Sequence, residues 1–414
     1  MHDSPEADKP DRKFLGAASR RYDSDVSLRG VVRQVWDGWE VPRDLLLGRY
    51  PEFVRGGALP RGQVPVFVFH SLETETFRRK LEYLSANGYV TLSSVDYFQF
   101  LMGTRPVPDR AIVLTFDDGR ASLWNVGAPL LRRFGMTGIV FLIPGRTVSR
   151  PGPLPPTMDE APAGVAHPAR EDEGLLSWEQ IEALSHSGPF EFQSHTQTHA
   201  RVHVRPRVVG FVTPESRLGY AGLDLPMIHA GGRDLMGEEV APGTPILASE
   251  PRMGEARRFY EDPAIRTAAM RAVAEGGGDA FFAREDWPAI LRGTVRRRVP
   301  GRWETAAEKE AAIRRELVES RRVIEARTGK PVIHLCHPWH VAGPTARRVM
   351  REVGYRTAFA GKVPGVPITM SGGDPYCIAR IGEDYVELLL PGEGRVALSD
   401  VLRRKWRRRM GGKR

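Results

Sequence analysis

From Val64 onward the chain keeps one rhythm, a short apolar run followed by an amphipathic stretch, repeated several times. Runs at 64–69, 89–92, 111–116, 137–142, 190–193 and 332–335 read as strands. Stretches at 75–86, 94–102, 122–134, 177–187, 305–327 and 344–353 read as helices, the first ended by Asn87-Gly88. Apolar strands separated by helices favour a parallel sheet covered on both faces. The expected fold is therefore α/β, with the βα units curling into a (β/α) barrel.

The polar residues that break this pattern cluster. His70, Asp117, Asp118, His195, His199 and His337 each fall at or just past the C-terminal end of a predicted strand. Barrels build their active sites from that edge. Two segments also have the spacing of a metal site. In Thr115-Phe116-Asp117-Asp118-Gly119 the adjacent carboxylates point apart if the backbone is extended, so one can face a metal and the other its bound water. Gly119 then allows a tight turn or a close approach of substrate. In Ser194-His195-Thr196-Gln197-Thr198-His199 the imidazoles stand at i and i+4, on one face if the segment turns helically. Two imidazoles and a carboxylate suit Zn²⁺ and its first-row neighbours, and an open fourth position marks a catalytic rather than a structural site. Either segment alone is a common accident, a turn or a solvated helix face. Their joint position at strand ends argues for chemistry.

At these residues the chain resembles the polysaccharide deacetylases, the NodB-homology or carbohydrate esterase family four group. The resemblance runs from about Val64 to Glu383. It includes Pro65-Val66-Phe67-Val68-Phe69-His70, Phe77-Arg78-Arg79-Lys80-Leu81-Glu82-Tyr83-Leu84, Leu335-Cys336-His337-Pro338-Trp339 and Gly354-Tyr355-Arg356-Thr357-Ala358-Phe359. It implies a barrel that is distorted or incomplete and carries a large insertion. It further implies that Asp118, His195 and His199 hold a divalent metal, Zn²⁺ first with Co²⁺ or Ni²⁺ as alternatives, and that Asp117 is the general base. Pro338-Trp339 looks like the family's third motif, whose aromatic ring lines the pocket and whose backbone N–H helps hold the oxyanion. The implied activity is metal-dependent removal of N-acetyl groups from an amino-sugar glycan or glycan precursor, with release of acetate.

The match weakens around the leaving group. The Arg that orients the base in the family would stand at Cys336, and its final His has no counterpart, since 376–382 contains none. Arg380 is the candidate replacement for the cation. His70, His337 and His340 are the candidates for the acid, the last two preferred, with His70, Pro338 and Trp339 as substrate contacts. A deformylase or other amide hydrolase on the same scaffold, and a catalytically silent glycan-binding relative, are the alternatives; the intact ligand trio and Asp117 speak against the silent one.

The remaining sequence sets the organisation. Residues 1–62 read as an N-terminal extension, disordered by composition at first and helical around 31–47. Residues 63–399 are the expected barrel, interrupted by a proline-rich loop at 146–174 and an insertion at 203–304 that is too long to be structureless. The insertion is expected to be a lid or small subdomain at the mouth. Of the net charge of +9, the Lys and Arg residues at 403–409 together with Lys413 and Arg414 carry eight, so the basicity is local to the tail 400–414. Such a tail can touch an anionic membrane with Trp406 as anchor; nucleic acid is not expected as a partner, since no aromatic-rich basic surface accompanies it. Two cysteines cannot form a disulfide framework. The opening residues lack an apolar h-region, so a cytoplasmic place is expected.

Overall fold

The computed structural model describes residues 47, 50–160, 174–219, 221–295, 299–361 and 368–410. The helix expected around 31–47, Leu47 apart, and residues 161–173 of the proline-rich loop lie outside the described residues.

Seven parallel strands form the body. Their order is Thr357–Phe359, His334–Cys336, Phe190–Ser194, Gly138–Leu142, Ala111–Asp118, Val66–Phe69 and Ile381–Gly382. Val90–Thr91 adds to one end of the Ala111–Asp118 strand. The arc nearly closes. Ala360 N–H reaches the Ile378 carbonyl at 2.9 Å, and the chain from Ile378 runs into the last strand. The result is an incomplete (β/α) barrel with a large insertion.

Local chemistry explains the elements. Every residue of Ala111–Asp118 is buried, as its β-branched and apolar run demands of a central parallel strand. Thr74–Ala86 starts where the Glu73 carboxylate accepts the N–H groups of Glu75 and Thr76. Capping boxes, Ser177 with Gln180 and Thr305 with Glu308, start Trp178–Ser187 and Ala306–Thr328, and Gly329 in the left-handed conformation ends the latter. Phe69, Phe77, Phe116 and Phe190 interlock through edge and stacked contacts at 5.2–6.0 Å between centroids, joining three strands to one helix.

Both ends of the chain join this core more closely than their composition suggests. Phe53 and Val54 are fully buried in the main cluster, so packing begins before residue 63. Leu398–Met410 is a helix that buries Val401. Among its described side chains four cations pair with the protein itself: Arg403 with Asp400, Arg404 with Glu387, and Lys405 and Arg408 with Asp384. That leaves less charge for a membrane surface. Among the described residues no helix is long and apolar enough to cross a membrane.

The insertion starts at Arg201, two residues after His199, rather than at 203. Arg201–Phe211 pairs antiparallel with Pro245–Pro251, and two short ribbons and the helices Pro263–Glu275 and Trp287–Thr294 complete it. It has small apolar clusters of its own, one of them Phe211, Ala269, Val273, Phe281 and Leu291. Pro206 and Gly210 disguise its long strand in the sequence.

Candidate active site

The strand Ala111–Asp118 delivers both carboxylates, and they do diverge. Asp118, at φ 69°, turns to the histidines: its Oδ1 lies 3.6 Å from His195 Nε2 and 3.8 Å from His199 Nε2. The three ligand atoms all lie within 4.8 Å of one another. Asp117 turns the other way, to Arg380, His70 and Cys336.

The His195–His199 segment is not helical. Thr196 at φ 67° and His199 at φ 53° take left-handed backbone conformations, so the rings meet through a tight irregular turn, with centroids 5.0 Å apart. A helical face would need every residue between them in the right-handed region, and tertiary bonds hold them elsewhere. The Gln197 N–H donates to the Glu316 carbonyl at 3.1 Å, and the Thr198 N–H and hydroxyl donate to the Glu316 carboxylate at 2.9 and 2.5 Å. Ser194 Oγ is 2.7 Å from Ser320 Oγ. The long helix Ala306–Thr328 thus clamps the histidine turn. Glu316 was absent from the sequence reading, yet it had a signal: it lies on the buried face with Ile313, Leu317, Ser320 and Ile324.

Six non-glycine residues among those described have positive φ, and five stand here: Asp118, Thr196, His199, Trp339 and His340. Each costs about 1–3 kcal/mol, and strain of this kind gathers where function over-determines the backbone.

The donor set fits a divalent ion. His195 Nδ1 is 2.8 Å from the Cys336 carbonyl, which only accepts, so that nitrogen carries the proton and Nε2 presents its lone pair. Burial pushes the His199 imidazole down to about 3 against the pull of Asp118, keeping it neutral. Asp118 Oδ2 and His199 Nδ1 are buried and have no hydrogen-bond partner among the described residues.

Asp117 is gripped by a cation just before the last strand, which the strand Val66–Phe69 separates from its own. Arg380, fully buried, donates from Nη1 to Oδ1 at 2.6 Å and from Nη2 to Oδ2 at 2.8 Å. Its Nη1 also reaches Thr115 Oγ1 at 3.2 Å, Nε the Ala360 carbonyl at 3.0 Å, and Nη2 the Cys336 sulfur at 3.0 Å. Burial by itself would raise the Asp117 pKa, but the Arg380 charge, with His195 and His70, holds the carboxyl well below the usual carboxylate range. The cation missing from position 336 therefore arrives 44 residues later and passes the Cys336 thiol on its way to the same carboxylate.

The third segment forms a sharp turn in which Pro338 is buried and Trp339 and His340 are both left-handed, at φ 50° and 62°. The Trp339 ring lies 4.0 Å from the His199 ring, with the Arg201 guanidinium 5.2 Å from the indole. His337 is 4% exposed, and neither ring nitrogen has a hydrogen-bond partner among the described residues. Burial pushes its pKa down to about 3, with neighbouring His195 and Arg347 disfavouring a further positive charge. His340 is exposed, its ring stacked over Gly361, the residue whose carbonyl accepts the Arg380 N–H. His70 is half-exposed, 3.9 Å from Asp117 Oδ2.

The sequence model of the polysaccharide deacetylases matches residues 104–216, the span that holds Asp117, Asp118, His195 and His199. The poly-beta-1,6-N-acetyl-D-glucosamine N-deacetylase of Escherichia coli (strain K12) is 28% identical over 128 residues, 31% of this chain and 18% of that protein. The chain thus spans about a fifth of that relative's length. Among solved structures, a de-N-acetylase from Aggregatibacter actinomycetemcomitans is 17% identical with a TM-score of 0.47, covering 77% of this chain and 94% of its own. The BpsB deacetylase domain from Bordetella bronchiseptica is 20% identical with a TM-score of 0.45, covering 78% and 96%.

Proposed function

Through residues 104–216 this chain belongs to the polysaccharide deacetylase family, and we propose that it is a metal-dependent hydrolase removing N-acetyl groups from an amino-sugar glycan, with release of acetate. One observation carries the reading: Asp118, His195 and His199 converge beside Asp117, a second buried carboxylate that an arginine holds by both oxygens.

A divalent ion, Zn²⁺ by its donor set, would be held by Asp118, His195 and His199 and would supply Lewis acidity and a lowered water pKa. The rest is the work of the chain. Asp117 stays ionised through the neutral range and accepts the proton of the water that attacks the amide carbon. Arg380 fixes the plane of that carboxylate and keeps it unprotonated between turnovers. Trp339 roofs the site over His199, and its backbone N–H helps hold the developing oxyanion. His340, on the Arg380 side of the mouth, has its pKa pushed down to about 3 by burial of its ring and by the Arg380 charge, so it is neutral at rest. It passes a proton to the departing amine only after taking up the one that Asp117 removes from water, with His70 as a neighbouring contact for the sugar. His337, buried under the turn, braces Pro338 and Trp339. The insertion, which enters the barrel through Arg201 beneath the indole, acts as a wall or lid at the mouth.

The test is acetate release from a panel of acetylated amino-sugar oligosaccharides by wild type and Asp117→Asn. Acetate from wild type alone is the expected result; equal background from both would sink the hydrolase. Formate from an N-formyl panel, with no acetate, would instead make this a deformylase.

A further inference from the structure

Arginines gather on one flank of the ligand trio. Arg120 follows Gly119 directly, Arg146 closes the turn after Gly138–Leu142, and Arg217 comes from the insertion. With Arg150 they line a cavity of about 190 Å³, whose remaining described wall is glycine, aliphatic side chains and a single acid, Glu238. Glu238 is exposed, and its carbonyl accepts Arg217 Nη1 at 2.9 Å.

The cavity adjoins the site. Arg146 Nε donates to the Thr198 carbonyl at 3.3 Å, one residue before His199, and its charge is among those felt by the His199 ring. Among the described residues Arg146 and Arg217 have no ion-pair partner within bonding distance. Burial lowers the Arg146 pKa against the pull of Glu316 and Glu239. Yet Glu316 is engaged by Thr198, and Glu239 by Arg233. Arg217 Nε is buried with no hydrogen-bond partner among the described residues. Glycine keeps the space open: a Cβ at Gly237, where φ is +52°, would stand 3.1 Å from Arg146 Nη1.

We propose that this cavity is an anion subsite, which takes a phosphate or carboxylate group of the substrate while the acetamido group lies at Asp117. Guanidinium forks match the oxygens of both groups. The cavity is smaller than the roughly 300–1,000 Å³ of sites that enclose a whole small molecule, so it suits one charged group of a larger chain. The substrate is then an acidic or phosphorylated amino-sugar glycan rather than a neutral one. This rests on the deacetylase reading for its acetamido end, but not for the anion itself.

Calorimetric titration of the metal-loaded protein with inorganic phosphate, glucose 6-phosphate and glucuronate tests it. Wild type, Arg217→Gln, Arg150→Gln and Arg322→Gln would be compared, the last removing one exposed charge from the outer face of the long helix. Affinity should fall at least about tenfold in Arg217→Gln, the size of one lost charge-assisted hydrogen bond. It should fall less in Arg150→Gln, whose side chain is exposed and whose loss threatens no fold, and hold in Arg322→Gln. The ratio of glucose 6-phosphate to glucuronate affinity identifies the oxyanion. Equal binding in all four proteins, or equal loss in Arg322→Gln, overturns the subsite. Arg217-dependent binding without any acetate release would keep the subsite and reject the hydrolase. Acetate release in which Arg217→Gln shifts KM alike for acidic and neutral oligosaccharides would do the reverse.

Discussion

The two sides of the site are made differently. On the ligand side Asp118, His195 and His199 are 2–6% exposed, and the turn bearing the histidines is bonded from behind by Glu316 and Ser320. On the leaving-group side His70 and His340 reach solvent, while the Arg380–Asp117 pair and His337 are held in the interior. Groups fixed by burial and several bonds can keep one geometry whatever the substrate. Exposed side chains on turns are free to vary with it. In the proposed reading the first side holds the ion in a fixed geometry, while proton transfer and contact with the leaving group fall to the second.

The contrast can be broken or sharpened by substitution. The largest effect is expected from His199→Ala, which should lose nearly all bound metal by plasma mass spectrometry; a full complement would contradict the ligand set. Asp117→Asn should keep its metal and lower kcat by about 10²–10⁴-fold, the range of a general base. Loss of metal in that variant would merge the two sides.

Arg380→Ala leaves a carboxylate buried without its cation and should cost about 3–5 kcal/mol in denaturant unfolding. Adding Asp117→Asn should recover part of that loss, because the stranded charge is then gone. Strict additivity of the two would show that the pair is not coupled. His340→Gln should lower kcat by about 10²-fold with little effect on stability, while His337→Gln should do the opposite. If both lose kcat equally, the buried imidazole takes part in turnover.

The smallest effect tests the tail. Burial raises the Asp384 pKa, but Lys405 and Arg408 pull it below its ordinary 3.8. A depressed carboxyl adds stability that is present above 3.8 and lost as pH falls through the lower folded value. Asp384→Asn should cost about 1 kcal/mol at neutral pH. It should also remove the part of the wild type's stability that is lost as pH falls below about 3.8, read by denaturant unfolding. An acid profile unchanged by the substitution would mean that the Asp384 pairs contribute nothing to holding the helix.

Much of this was readable beforehand, and for local reasons. Strand Ala111–Asp118 announces itself by a run of apolar residues, and Pro344–Val353 and Pro263–Glu275 by helical periodicity and a proline at the first turn. The donors Asp117, Asp118, His195 and His199 could be named from their place at strand ends. Arg201–Phe211 escaped because Pro206 and Gly210 look like loop residues until a partner strand is paired with them. Whether the segment from His195 to His199 turns helically could not be read locally, because Glu316, more than a hundred residues away, imposes another backbone. Arg380 could be suspected from a missing cation, but not aimed.

By itself, then, the sequence determined which donors exist and on which edge of the sheet they stand, since both follow from periodicity over a few residues. Tertiary structure alone decided which oxygen meets which nitrogen, that Arg380 reaches Asp117, and that Arg120, Arg146 and Arg217 share one cavity. Those contacts join residues tens to hundreds of positions apart. They exist only once the arc of strands has curled far enough to bring its edges together, and no local pattern along the chain encodes that closure.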